Sequence, residues 1–125
     1  MEKIKVSAVG QQEAASALRA AGLTDTDGQF TPETLAASGQ SFNLETSAGK
    51  GVFVAEVRGN HLWIHGAGAV GTSGMTKDGM DLFDAMAKSA GCKFVAFETA
   101  RRGLERIAKK NGYRTTAVVM KKRVS

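Results

Sequence analysis

Two strand-like segments separated by a tight-turn signal constrain the fold of this 125-residue chain more than any other feature. The segments GVFVAEVRG (51–59) and HLWIHGA (61–67) are rich in β-branched and aromatic residues, and the step Gly59-Asn60 joins them. A glycine-asparagine step between two such segments is typical of a β-hairpin, because both residues tolerate the backbone conformation of a two-residue turn. The pattern therefore predicts an antiparallel hairpin.

The rest of the chain supplies strands and helices around this hairpin. Alternating apolar and polar residues predict further strands at 3–9, 41–47, 93–99 and 113–124. Helical spacing and helix end signals, such as a Thr cap before Pro32, predict helices at 11–22, 31–39, 75–91 and 101–112. The order β-α-α-β-β-β-α-β-α-β predicts an α/β (α+β) fold with a mixed, mostly antiparallel sheet and helices on both faces.

Length and composition favour one soluble domain spanning 1–125. The apolar fraction is 42% and no apolar run reaches about 18 residues, so we expect no membrane span and no membrane partner. The N-terminal sequence lacks the apolar core of a secretory signal. The single cysteine, Cys92, cannot form an internal disulfide, which favours a reducing compartment. We therefore expect the protein to be cytoplasmic on synthesis.

The positive charge is concentrated at the C-terminal end. Residues 101–123 carry +8 and the remainder −3, because nine basic residues stand there with one acid, Glu105. Such a segment favours an anionic partner, either CoA phosphates, a nucleic acid or an acidic protein face, or it is a solvated helix face with a charged tail. The basic residues are Arg101, Arg102, Arg106, Lys109, Lys110, Arg114, Lys121, Lys122 and Arg123.

A glycine-rich stretch follows the hairpin and precedes the predicted helix at 75–91. Glycines stand at positions 66, 68, 71 and 74. A loop of this kind can present backbone N–H groups to a phosphate at the helix N-terminus. Alternatively, the glycines only allow a tight strand-to-helix turn to pack against the sheet.

The element order resembles the GNAT (GCN5-related N-acetyltransferase) fold. The likeness is sharpest in the hairpin, in AGCKFVAFET (90–99) and in RRGLERIAKKNGYRTTAVVMKK (101–122), which contains a glycine-aromatic step at Gly112-Tyr113. Small phage-encoded GNAT-like proteins are similar. The resemblance implies acetyl-CoA as the cofactor if the protein is an enzyme. It also implies that the CoA pyrophosphate lies on backbone N–H groups between the fourth strand and the main helix.

Matching the family's pyrophosphate motif to this chain implies a cofactor-binding segment at Gly71, Thr72, Ser73, Gly74, Met75 and Thr76. Gly74 matches the motif, whereas Gly71 replaces its Gln or Arg and Thr76 replaces its second small residue. The catalytic positions match less well. The family's tyrosine falls on Ala108 and its asparagine on Arg101, so neither role transfers to this sequence.

The remaining candidates for a catalytic base are His65 and Glu98, with His61 as a further histidine. His65 alternates with Trp63 and so shares one face of its strand with it. His65 could instead stack on its neighbours or bond a carbonyl, and Glu98 could instead pair with a nearby arginine.

Because these matches are incomplete, we expect a GNAT-shaped, catalytically degenerate phage protein that acts as a virion-associated or host-interaction component. Its partners would be other protein subunits, in a homo-oligomer or a virion. The alternative is an acetyl-CoA-dependent N-acetyltransferase. A second alternative is nucleic-acid binding through the basic segment 101–123.

Overall fold

The computed structural model describes residues 4–20, 31–71, 74–99 and 102–124. The sequence LTDTDGQF (23–30), whose Thr, Asp and Gly content predicts a loop, lies outside the described residues. Within the described ranges, nine elements follow one another: β1 (Lys5–Val9), α1 (Gln11–Ala20), α2 (Pro32–Ala37), β2 (Gln40–Thr46), β3 (Gly49–Arg58), β4 (His61–Gly71), α3 (Gly74–Ser89), β5 (Phe94–Phe97) and α4 (Arg102–Lys110).

The five strands form one sheet in the order β1-β2-β3-β4-β5. Every neighbouring pair is antiparallel except β4 and β5, which are parallel. The predicted hairpin is present: Arg58 lies opposite His61, and Gly59 has a φ of +57°, a left-handed conformation that glycine adopts without steric cost. The predicted mixed, mostly antiparallel sheet is confirmed.

Helices cover both faces of this sheet, also as predicted. Successive residues of a strand point to opposite faces, so Phe53 and Val54 of β3 enter different cores. Val54 is fully buried with Leu18 of α1. On the other face, Phe53 packs edge-to-face against Phe83 of α3, with ring centroids 5.0 Å apart, and stacks on Phe42 of β2 at 5.2 Å.

The cap and the proline predicted for the start of α2 are both confirmed. The Thr31 hydroxyl accepts a hydrogen bond from the backbone N–H of Thr34 at 3.1 Å, and Pro32 stands at the first helical position. After the helix, the chain passes very close to β3. A Cβ atom at Gly39 would lie 2.5 Å from the carbonyl oxygen of Ala55, so glycine alone fits there without displacement.

The C-terminal end differs from the prediction. Residues 113–124 pair with no strand in the described part of the chain, and Val118 and Met120 are 80% and 90% exposed. The predicted last strand is therefore not formed, because a strand needs a neighbouring backbone to pair with its N–H and C=O groups. On α4, Ala108 is buried but Ile107 is 40% exposed, so the predicted apolar face of this helix is covered only in part.

Candidate functional site

An opening lies between β4 and β5, because β4 is much longer than its neighbour. β5 pairs with β4 only over His61–Ile64, whereas β4 continues to Gly71 along β3. Within the described chain, the edge of β4 that faces β5 has no strand neighbour from His65 to Gly71. The backbone N–H and C=O groups on that edge remain available to an extended ligand.

A β-bulge at His65 explains where the two strands part. Val54 lies opposite Gly66, but the next residue of β3, Ala55, lies opposite Ile64, so His65 is one extra residue in β4. A bulge bends its strand and increases the local twist. Pairing with β5 ends at Ile64, immediately before the bulge. The bend therefore turns β4 away from β5 and opens the sheet at this point.

The bulge also changes which face the later residues of β4 occupy. Ile64 packs in the core on the α3 side of the sheet. Two residues later Gly66 lies against α2, where an added Cβ would be 3.4 Å from the side chain of Leu35. The predicted interpretation of Gly66 as part of a strand-to-helix turn is therefore wrong, since this glycine lies inside β4 and its small size allows α2 to approach.

His65 forms an acid–base pair with Glu56. His65 Nε2 lies 2.8 Å from Glu56 Oε1, and Arg58 Nε donates to the same oxygen at 2.7 Å. The His65 side chain is 17% exposed and that of Glu56 is 35% exposed. The hydrogen bond from His65, followed by the bond and charge of Arg58, lowers the pKa of the Glu56 carboxyl. Glu56 is therefore ionised at neutral pH and fixes the orientation of the His65 ring.

Glu56 was not among the residues predicted from sequence, although the hairpin contained the signal. With Gly59-Asn60 as the turn, Glu56 lies opposite Trp63. Trp63 and His65 were predicted to share a face, so the register brings Glu56 beside both. Of the two alternatives for His65, hydrogen bonding is correct, but the acceptor is a carboxylate and not a backbone carbonyl.

Glu98, the other predicted base, is exposed and follows β5. It comes directly after Phe97, which pairs with Ile64, and His65 comes directly after Ile64. Glu98 and His65 therefore leave the paired part of the two strands at the same end, where the opening begins. Arg101, one predicted partner of Glu98, lies outside the described residues.

The predicted cofactor-binding segment connects β4 to α3. Gly71 is the last residue of β4, Gly74 is the first residue of α3, and Thr72 and Ser73 lie outside the described residues. The Met75 side chain is 5% exposed and accepts a hydrogen bond from the buried Thr46 hydroxyl at 3.3 Å. Met75 therefore presents only its backbone to a ligand.

The first turn of α3 nonetheless has the properties of an anion site. The first N–H groups of a helix have no intrahelical partners and carry a partial positive charge. Thr76 is half-buried in this turn. One carboxylate oxygen of Asp78 is buried and has no hydrogen-bond partner among the described residues. The negative charge of Asp78 reduces the attraction of this turn for an anion.

Tyr113, the only tyrosine of the chain, is a second residue that sequence analysis did not select. Its ring packs edge-to-face on Phe97 of β5, with centroids 5.2 Å apart, and its hydroxyl is buried without a hydrogen-bond partner in the described structure. Burial, followed by the negative charge of Asp84, raises the pKa of Tyr113 to about 12. The hydroxyl is therefore protonated at neutral pH and is an unused donor close to the end of β5.

The basic segment lies on α4 and the residues after it. Arg102, Arg106, Lys109 and Lys110 are exposed along α4, and Lys109 Nζ lies 3.0 Å from Glu105. Arg114 and Lys122 are exposed in the following segment. The structure thus places most of the predicted basic patch on a solvated surface, where nucleic-acid binding stays a prediction.

In the part of the chain that the structure describes, no helix has both the length and the apolar composition needed to cross a membrane.

No family model matches this sequence, and no curated protein matches it. Solved structures do match. The match to a protein from Pyrococcus furiosus assigned as an acetyl transferase covers 98% of this chain and 100% of that one, at TM-score 0.69 and 13% identity. The ribosomal-protein-alanine N-acetyltransferase of Brucella melitensis biovar Abortus 2308 matches at TM-score 0.64 and 9% identity, with 98% and 100% of the two chains covered.

The chain has a GNAT-like fold. A third match is AAC(6')-Iy in complex with the bisubstrate analogue CoA-S-monomethyl-acetylneamine, at TM-score 0.59 and 12% identity over 98% of this chain and 99% of that one. The predicted resemblance is thus confirmed at the level of the fold. At these identities the likeness establishes the fold and not the activity.

Proposed function

We propose that this protein is an acyl-CoA-dependent N-acyltransferase whose acyl donor lies in the opening between β4 and β5. The observation that carries this proposal is the combination of the open β4 edge at 65–71 with the start of α3 at Gly74. One end of the opening offers backbone groups to a chain of amides, and the other offers helix N-terminal N–H groups to a phosphate. Acyl-CoA contains both chemistries.

The residues present fit such a donor. The edge of β4 beyond Ile64 would pair with the amide groups of the pantetheine arm, and the first-turn N–H groups of α3, from Gly74 to Thr76, would hold the pyrophosphate. The buried, unpartnered hydroxyl of Tyr113 is a donor that a bound group could use. When bound, acyl-CoA supplies a thioester whose carbonyl carbon is open to attack by an amine.

The chain's own contribution to the reaction centres on His65. Glu56 is ionised and can only accept a hydrogen bond, so His65 Nε2 must be the donor in the bond between them. The neutral imidazole therefore carries its lone pair on Nδ1. That atom can accept the proton of an incoming ammonium group, and Glu56 stabilises the imidazolium that results.

Tyr113 contributes as a hydrogen-bond donor, whereas His65 acts as a proton acceptor. Its raised pKa keeps the proton on the hydroxyl at neutral pH. A protonated phenol in a buried setting can donate a hydrogen bond to negative charge that develops nearby. We therefore assign the role of base to His65, held by Glu56, and the role of hydrogen-bond donor to Tyr113, in place of the groups that the resemblance would have placed at Ala108 and Arg101.

Thermal unfolding with and without acetyl-CoA tests whether the donor binds. A ligand at 100 times its Kd stabilises the folded state by about 2.7 kcal/mol, so the midpoint should rise. Gly74→Glu should abolish the shift, because it adds a carboxylate at the start of α3. Gly103→Glu, at an exposed glycine in the first turn of α4, is the matched control and should keep it. No shift at millimolar acetyl-CoA would overturn the proposal.

Release of free CoA thiol in the presence of primary amines tests the chemistry. We expect His65→Gln and Glu56→Gln to lower kcat by roughly 100-fold or more, since general base catalysis commonly contributes that much. Both variants should retain the acetyl-CoA-dependent rise in melting midpoint. Unchanged turnover in both variants would remove His65 from the mechanism, even if the donor binds.

A further inference from the structure

In the described structure, three aromatic rings form a row where β4 and β5 begin to pair. His61 stacks on Phe94 of β5, with ring centroids 4.8 Å apart, and lies nearly parallel to Trp63, with centroids 6.5 Å apart and an interplanar angle of 18°. His61 Nδ1 lies 2.7 Å from Asn60 Oδ1, a contact that orients the imidazole. Phe94 is 50% exposed, and His61 and Trp63 are half-buried. The row therefore presents aromatic surface to a ligand.

The row lies on the face of the sheet that carries α1 and α2. Leu62 of β4 and Val95 of β5 pack in the core on the α3 side. Successive side chains of a strand point to opposite faces, so His61, Trp63 and Phe94 point away from that core. None of these three rings belongs to the described hydrophobic core between the sheet and the helices α1 and α2. Their packing against one another leaves them at the margin of both cores.

This row leads to the proposed base. Trp63 is two residues from His65 along β4, and residues with this spacing in a strand are roughly 6–7 Å apart. Glu56, which holds the His65 ring, lies opposite Trp63 on β3. A molecule with its amine at His65 Nδ1 would therefore place the group on the other end of a short aliphatic linker beside Trp63 and His61.

The charges around the row differ between its two ends. At the end near His65, Glu56 is ionised and Glu98 is exposed. At the other end, Arg58 lies opposite His61, and the exposed Lys93 precedes Phe94. The carboxylates attract an ammonium group to the first end, and the cations disfavour a second ammonium group at the other. This distribution suits a molecule with one amine and an uncharged planar group.

We propose that this face is the acceptor site and takes a primary amine that carries an aromatic ring, with the amine at His65 and the ring against Trp63 and His61. Aromatic rings attract one another in offset-stacked and edge-to-face arrangements at centroid separations of about 4.5–7 Å, which gives such a ring an advantage over a saturated one. Phe94 supports His61 from the far side. The role as acceptor rests on the proposed acyltransferase function, whereas binding of the ring does not.

Tryptophan fluorescence tests binding directly, because Trp63 is the only tryptophan of the chain. Phenethylamine should change the emission of the wild-type protein in a saturable manner. Cyclohexylethylamine has the same charge and linker but a saturated ring, and its Kd should be at least about tenfold higher, since it lacks the aromatic contacts. Equal affinity for the two amines, or no saturable change with phenethylamine, would overturn the proposal.

Variants at His61 test the position of the ring. His61→Ala should raise the Kd for phenethylamine by about tenfold, and His61→Phe should keep it near the wild-type value, because it retains a ring for stacking. Val57→Ala, at a valine that is 53% exposed on the opposite face of β3, is the matched control and should leave Kd unchanged. An unchanged Kd in His61→Ala would contradict the proposed position.

Release of CoA thiol from acetyl-CoA separates this proposal from the proposed function. His61→Ala should raise KM for phenethylamine with little change in kcat, whereas His65→Gln should lower kcat. Turnover of both amines with equal kcat/KM would leave the acyltransferase activity in place and overturn the aromatic acceptor. Saturable binding of phenethylamine without any turnover would support the aromatic site and count against the proposed function.

Discussion

On β3, the four residues from Val52 to Ala55 are each at most 5% exposed, whereas Ala108 is the only buried residue among residues 102–124. Both regions contain valines in a short apolar run, Val52 to Ala55 and Ala117 to Met120, but their surroundings differ. β3 lies between two neighbouring strands and under helices on both faces, while α4 and the following segment have few covering groups. Burial at the centre holds the fold, and exposure at the C-terminal end leaves surface for a ligand or a partner.

The largest expected difference between the two regions concerns Phe53. This side chain is 1% exposed and contacts two other aromatic rings, so Phe53→Ala should lower the free energy of unfolding by about 3–5 kcal/mol. Val119→Ala, in the segment after α4 and 69% exposed, should cost less than about 1 kcal/mol. Urea denaturation measures both. Similar losses in the two variants would show that burial does not distinguish these positions.

A smaller loss is expected at Gly39, where the chain crosses close to β3. Gly39→Ala would place a Cβ atom 2.5 Å from a backbone oxygen that cannot move independently. The free energy of unfolding should fall by about 1–3 kcal/mol, the usual cost of overpacking. A shift in the urea midpoint without a change in slope would measure this. A neutral result would mean that α2 and β3 can separate at little cost.

At Gly103, in the first turn of α4, we expect a substitution to raise the free energy of unfolding and not to lower it. In the described structure, an added Cβ would have no contact within 4 Å beyond its chain neighbours and the backbone of its own helix. Gly103→Ala should therefore stabilise the protein by at most about 1 kcal/mol, through the higher helix propensity of alanine. Thermal unfolding measures the change. Destabilisation would show that α4 is covered in solution. The difference in burial between β3 and residues 102–124 would then be smaller than the structure indicates.

The smallest change at neutral pH is expected at Tyr113. Because its buried hydroxyl has no hydrogen-bond partner among the described residues, Tyr113→Phe should alter the free energy of unfolding by less than about 1 kcal/mol. At alkaline pH the difference grows. The folded pKa of Tyr113, about 12, lies above the ordinary tyrosine pKa of 10.0, so the stabilisation from this group is complete below pH 10 and is lost as the pH rises toward 12.

The titration of Tyr113 can be followed directly, since no other tyrosine contributes to the phenolate absorbance. The absorbance should rise near pH 12 in the folded protein and near pH 10 in denaturant. Coincident titrations in the two states would contradict the burial of this side chain.

The predicted fold is confirmed wherever the signals are local. The turn at Gly59-Asn60, the Thr31 cap and the helical spacing from Met75 onward each depend on residues that are close in sequence. The prediction is wrong for the last strand, because apolar alternation shows only which side chains a segment could bury. It does not record whether another part of the chain lies over it.

The candidate site was predicted less completely than the fold. His65 was selected, and its partner Glu56 follows from the register of the hairpin, although neither residue's role was deducible from composition. Tyr113 was assigned to the glycine-aromatic step and not to the site. The burial of its hydroxyl depends on the packing of β5 and α3 around the ring, and the sequence alone does not give that packing.

The sequence by itself determined the order of the elements, the central hairpin and the separation of a basic C-terminal end from an acidic body. These features arise from turn chemistry, helix capping, side-chain periodicity and charge, which act over a few residues. Only the tertiary structure decided the bulge at His65, the opening between β4 and β5, and the exposure of the final segment. A bulge is a mismatch between two strands, and a strand edge is open or covered according to its neighbours, so both depend on contacts between distant parts of the chain.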